Sequence, residues 1–101
     1  MQAKTKFHRK LTLIQVSTLA VAVAELKVLE VPRDLHYPEG LKFSMFLVLM
    51  ESGRVLVGFD NHKLKGPHLH LHGRELPYEF NSIDQIIEDF WRFAKKEGFQ
   101  T

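Results

Sequence analysis

Leu41–Met50 is apolar on both alternating faces, with Phe43, Met45, Leu47 and Leu49 on one and Phe46, Val48 and Met50 on the other. Alternation is the strand period, and a run greasy on both faces predicts a central strand covered on both sides. Upstream, Leu11–Val16 predicts a first strand, Ser17-Thr18 a turn, and Leu19–Val31 a long second strand. The apolar set of that second strand slips. Val21 and Val23 share a face with Glu25 and Lys27, while Leu26 and Val28 lie on the other, which predicts a bulge near Ala24 or Glu25. Pro32, Pro38 and Gly40 mark a loop. Ser52-Gly53 marks a tight hairpin leading into the alternating Val55, Val57 and Phe59. Asp60–Pro67 is a polar loop, His68–His72 a short strand, and Gly73-Arg74 the start of a last turn.

The C-terminal segment changes period. Ile83, Ile86, Ile87, Phe90, Phe93 and Ala94 recur at helical spacing and make one apolar face. Ser82 with Gln85 is a capping box, Asp84, Glu88 and Asp89 precede Lys95 and Lys96 as the helix dipole prefers, and Gly98 fits just past the end. That face must bury against the sheet. The expected class is therefore α+β: an antiparallel meander sheet of about five strands with one C-terminal helix packed on it.

Composition narrows this picture modestly. A chain of 101 residues, 45% hydrophobic and 26% charged, suits one domain and one core. The expected division is a basic N-terminal tail over residues 1–10 and a single α+β domain over 11–98. Lack of cysteine excludes disulfides and thiolate metal sites and allows a reducing cytoplasm. The basic start, the run Leu11–Ala24 and Ala22-Val23-Ala24 mimic a secretory signal, but Gln15, Ser17 and Thr18 interrupt it, and it is too short for a membrane span. Lys4, Lys6, Arg9 and Lys10, with no acid among the first ten residues, and the loop lysines Lys63 and Lys65 suit a polyanion such as RNA. The same lysines also suit a merely solvated surface.

The chemistry-bearing pattern is His68-Leu69-His70-Leu71-His72, entered through Gly66-Pro67 and preceded by Asp60-Asn61-His62. In an extended chain the leucines take one face, and the three histidines line the other, about 7 Å apart. Three readings follow. Two histidines at i and i+2, with His62 or His72 added, can share a metal ion, although Asp60 is the one evident carboxylate partner. His68 and His70 can serve as acid and base in metal-independent RNA cleavage, with Lys65 as the cation and Asn61 on a phosphate oxygen. Exposed histidines on an edge strand can also be structural, and Leu69 and Leu71 then carry the segment.

Several of these motifs occur together in one order. Gly58-Phe59-Asp60-Asn61, then Lys65-Gly66-Pro67-His68-Leu69-His70, Pro77-Tyr78-Glu79-Phe80 and Ile86-Ile87-Glu88-Asp89-Phe90 resemble the TumE family of small toxins from prokaryotic toxin–antitoxin pairs, over roughly residues 11–95. Where family members commonly carry an acidic or polar residue this chain has Pro67, and where they carry a basic one it has Leu69; His72 is additional. Family roles carry over best to Asp60, Asn61, Gly66, His68 and His70. The resemblance implies a cytoplasmic growth inhibitor neutralised by a DNA-binding antitoxin, and it strengthens the RNA reading. The site expected on both grounds has His68, His70 and Lys65 as catalytic residues. Asp60, Asn61, His62, Lys63, Gly66, His72 and Arg74 are expected to bind substrate. No cofactor, metal or membrane is assigned, and a homodimer through a free sheet edge is compatible. The alternative is a non-catalytic RNA- or protein-binding module with structural or metal-binding histidines.

Overall fold

A computed structural model describes residues 3–61 and 65–99. The strands are β1 (Lys4–Ile14), β2 (Val21–Glu30), β3 (Leu41–Leu49), β4 (Val55–Asp60), β5 (His68–Leu71) and β6 (Arg74–Pro77), followed by the helix α1 (Ile83–Lys96). They form a six-stranded sheet in the order β1-β2-β3-β4-β5-β6, and every neighbouring pair is antiparallel. The class is α+β, an antiparallel meander with one C-terminal helix, as the periodicities predict.

The strand beyond the expected five is β6. His72 and Gly73 both have positive φ, 47° and 81°, and join Leu71 to its partner Arg74 in a two-residue hairpin. Adjacent left-handed residues match the twist of the flanking strands. The turn therefore comes one residue earlier than Gly73-Arg74, and His72 leaves the strand.

β1 also begins earlier than expected. Residues 4–10, expected as a tail, pair with Glu25–Glu30 of β2, with a register shift between Thr5 and Phe7. Their charges conceal the strand, because one side of this edge faces water. Phe7 and Leu11 nevertheless pack on the core. β1 and β6 are the sheet's two edges, and lysines on an exposed edge oppose pairing with another chain.

The helix covers one sheet face, and the core lies between. Ala22, Ala24, Leu26 and Val28 of β2 are fully buried there, so β2 needs no bulge at Ala24 or Glu25, and its pairing with β3 is continuous. The slip in the sequence pattern arises because Val21 and Val23 sit half-buried on the other face, in line with Glu25 and Lys27. β3 corrects its expectation in the same way. Phe43, Met45 and Leu47 are buried toward the helix, but Phe46 and Val48 are only half-buried, so β3 is covered on one side.

From α1, Ile86, Phe90 and Ala94 enter the core with Phe99 beyond it. Ser82 caps the first turn by accepting from the Gln85 N–H at 3.0 Å. At the other end Gly98, at φ 90°, lets its own N–H and that of Phe99 reach back to Lys95 and Ala94 carbonyls. Trp91 meets Phe90 edge-on at 5.1 Å and lies under Arg9, in keeping with a half-buried core residue. Among the described residues no helix is long and apolar enough to cross a membrane.

Candidate functional site

The sheet face away from α1 is uncovered, and register decides what meets there. Asp60 is opposite Ser44 on one side and His68 on the other, while Gly58 lies between Phe46 and His70. Continuing the rows outward, Ser44 pairs with Lys27 and then His8, and Phe46 with Glu25 and then Lys10. Glu75 of β6 is opposite His70. Glu25 and Glu75 and the basic His8, Lys10 and Lys27 therefore share this face with the chemistry-bearing residues. His8 hydrogen-bonds Glu25 at 2.8 Å, and this bond is the main reason that carboxyl is held below its usual range.

Three side chains converge at its β4–β5 end. His68 Nε2 lies 2.8 Å from Asp60 Oδ1, and His70 Nε2 lies 3.5 Å from Asp60 Oδ2. The imidazole rings meet edge-on at 4.8 Å. His68 is the buried member, with 7% of its side chain exposed, against 28% for His70. His68 Nδ1 donates to the Gly66 carbonyl at 2.8 Å. That carbonyl is placed by a left-handed Gly66, φ 73°, a conformation that favours glycine. The 2.8 Å approach to Asp60 is close in distance but is not a hydrogen bond in angle. Asp60 Oδ1 and His70 Nε2 both end buried without a hydrogen-bond partner among the described residues.

The remaining expected residues divide. Lys65 stands beside the cluster: its Nζ and His68 Nε2 each lie 3.5 Å from Glu75 Oε1. Asn61 does not face the cluster as a free amide. It is buried, its Oδ1 accepts from the Phe43 N–H at 2.8 Å, and its Nδ2 donates to the Leu41 carbonyl at 2.7 Å. His72, in the β5–β6 turn, has Nε2 2.9 Å from Glu97 Oε1 and Nδ1 3.4 Å from Arg54, so it does not join the His68–His70 pair. Arg74 is opposite Leu71, which puts it on the other face of the strand from Glu75. His62 and Lys63 lie outside the described residues.

Sequence reasoning missed Glu75 and Phe46. Both reach the site only through strand pairing. A groove of about 330 Å³ opens beside His70, lined by Phe46, Arg54, His72 and Glu75 among others. Phe46 lies 5.8 Å from the His70 ring. Its own ring occupies the space that a Cβ on Gly58 would take, which explains glycine in mid-strand. The site thus offers a recessed imidazole–carboxylate pair, a second imidazole at the surface, an aromatic face and flanking cations.

In comparison with known proteins, the family model described as Toxin TumE matches residues 3–97. Searches of curated proteins and of solved structures returned no match.

Proposed function

The chain belongs to the TumE toxin family, and from that premise we propose that it is the toxin of a toxin–antitoxin pair and cleaves RNA at the Asp60–His68–His70 cluster. One observation carries the reading: two imidazoles and a carboxylate converge at the end of an uncovered sheet face that also bears His8, Lys10, Lys27 and Lys42. Exposed cations on one face draw in a phosphodiester backbone. Aromatic and guanidinium groups of the kind that flank His70 can stack on an unpaired base.

The chemistry needs no cofactor. A base removes the 2′-hydroxyl proton, that oxygen attacks phosphorus, the bond to the 5′-oxygen breaks, and the leaving oxygen takes a proton. The products are a 2′,3′-cyclic phosphate and a 5′-hydroxyl. His70, at the surface, and His68, behind it, supply the two proton transfers. Asp60 faces both Nε2 atoms and stabilises whichever ring is protonated. Lys65, more than half exposed beside the cluster, offsets charge developing on the phosphate. The reading implies a cognate DNA-binding antitoxin as partner and the cytoplasm as its place of action.

A second reading, a non-catalytic RNA- or protein-binding module, is favoured by the burial of His68 and by the commitment of Asn61 to backbone. One experiment separates the two. Purified, folded protein is incubated with total cellular RNA, with and without chelator. Cleavage is expected from the chelator-treated protein, with cyclic-phosphate ends that are absent from the His70→Ala reaction. RNA left intact under every metal condition contradicts the cleavage reading and leaves the binding module.

A further inference from the structure

We infer that Asp60, His68 and His70 form a binding site for one divalent transition-metal ion of the zinc type. The donor atoms of the three all lie within 4.8 Å of one another. His68 Nδ1 carries its hydrogen to the Gly66 carbonyl, so in the neutral ring Nε2 presents a lone pair. That lone pair faces Asp60 Oδ1 at 2.8 Å, and the two do not meet in hydrogen-bond geometry. Two lone pairs held this close, with little solvent, repel unless a proton or a metal ion joins them, and the angle between them does not suit a proton. His70 Nε2, also buried and without a hydrogen bond among the described residues, faces the other carboxylate oxygen at 3.5 Å.

The 2.8 and 3.5 Å approaches to Asp60 bracket the spacing of ligands that share an ion. Tetrahedral bonds of about 2.0–2.1 Å put neighbouring donor atoms about 3.3 Å apart. The Gly66 carbonyl on Nδ1 is also the outer contact that orients metal-binding histidines and fixes their tautomer. Glu75 Oε1, 3.5 Å from His68 Nε2, adds negative charge at the margin. Two nitrogens and a carboxylate suit zinc, nickel or copper. Magnesium and calcium prefer all-oxygen sets.

The site deepens the proposed function by regulating it, and that part rests on the cleavage reading. An ion on both Nε2 atoms takes the lone pairs of both rings and the carboxylate that would stabilise a protonated ring, so metal occupancy and metal-free cleavage exclude each other at this centre.

The test uses the full chain without a histidine tag, freed of metal and titrated with zinc chloride by calorimetry and native mass spectrometry. One zinc per chain is expected, with affinity at least tenfold weaker in His70→Ala and in Asp60→Asn, unchanged in His8→Ala, and not displaced by millimolar magnesium. Because His68→Ala risks misfolding, the wild-type ring ¹⁵N spectrum supplies a second readout. The Nε2 signals of His68 and His70 should shift with zinc, while those of His8 and His36 stay. Failure of the folded wild type to bind zinc stoichiometrically, or equal affinity in His70→Ala, overturns the site. The RNA assay run beside it separates the two proposals. Zinc binding without any RNA cleavage sinks the cleavage reading and leaves the site. Cleavage by a protein that binds no zinc does the reverse. Cleavage undiminished in the zinc-loaded protein overturns the mutual exclusion.

Discussion

The Tyr78 hydroxyl donates to the Asp89 carboxylate at 2.5 Å, tying the segment after β6 to the middle of the helix. Asp89 is buried, and Gln85 and Arg92 satisfy its other oxygen at 2.9 and 3.1 Å. Burial, and then this hydrogen bond, push the Tyr78 phenol well above the ordinary tyrosine value. A group raised in the folded state keeps its proton where the unfolded chain has lost it. The stability it contributes is complete below about pH 10, the usual tyrosine value, and is lost as pH rises beyond it. Urea unfolding at pH 9 and pH 11 should show a smaller alkaline loss in Tyr78→Phe than in wild type. Equal losses would show that the phenol is not coupled to folding.

Asn61 is a second buried polar residue whose place departs from its sequence reading. Expected on a phosphate oxygen, it instead spends its amide on the backbone of Leu41 and Phe43. Asn61→Ala should therefore lower stability by about 1–3 kcal/mol through the buried backbone groups it strands. Chemical denaturation reads this directly. Unchanged stability together with lost RNA affinity would return Asn61 to a ligand-binding role.

The element types were legible because each segment keeps one period over several residues. What escaped were segments whose environment is set by partners. β6 has a single half-buried leucine among Arg74, Glu75 and Pro77, so alternation is invisible without β5 beside it. The first half of β1 is masked by its own lysines. His68 and His70 were recognisable from their spacing, and Asp60 from its neighbourhood. Their convergence, however, depends on the β4–β5 register, which no local pattern encodes. His72 failed to join them because the hairpin turns on it and Gly73, and a turn residue abandons strand alternation.

Phe90 tests the helix face. It is fully buried between the helix and the sheet, so Phe90→Ala should cost about 3–5 kcal/mol, through lost burial and the cavity left behind. An unaltered melting temperature would contradict the packing described for α1.

Gly58 and Phe46 form a testable pair on the opposite face. A methyl group at Gly58 meets the Phe46 ring, so Gly58→Ala should destabilise by about 1–3 kcal/mol and shift the ring from beside His70. Adding Phe46→Ala should relieve much of that clash, giving a coupling energy in a double-mutant cycle. Strict additivity would show that the ring does not rest on Gly58.

The central claim is that the Asp60–His68–His70 cluster is the centre of a toxin. The most direct measurement is cell growth after induced expression, comparing wild type with His68→Ala/His70→Ala at matched soluble levels. Arrest by the wild type and normal growth with the folded double variant is the expected result. Equal arrest by both proteins, or no arrest by either, would contradict it.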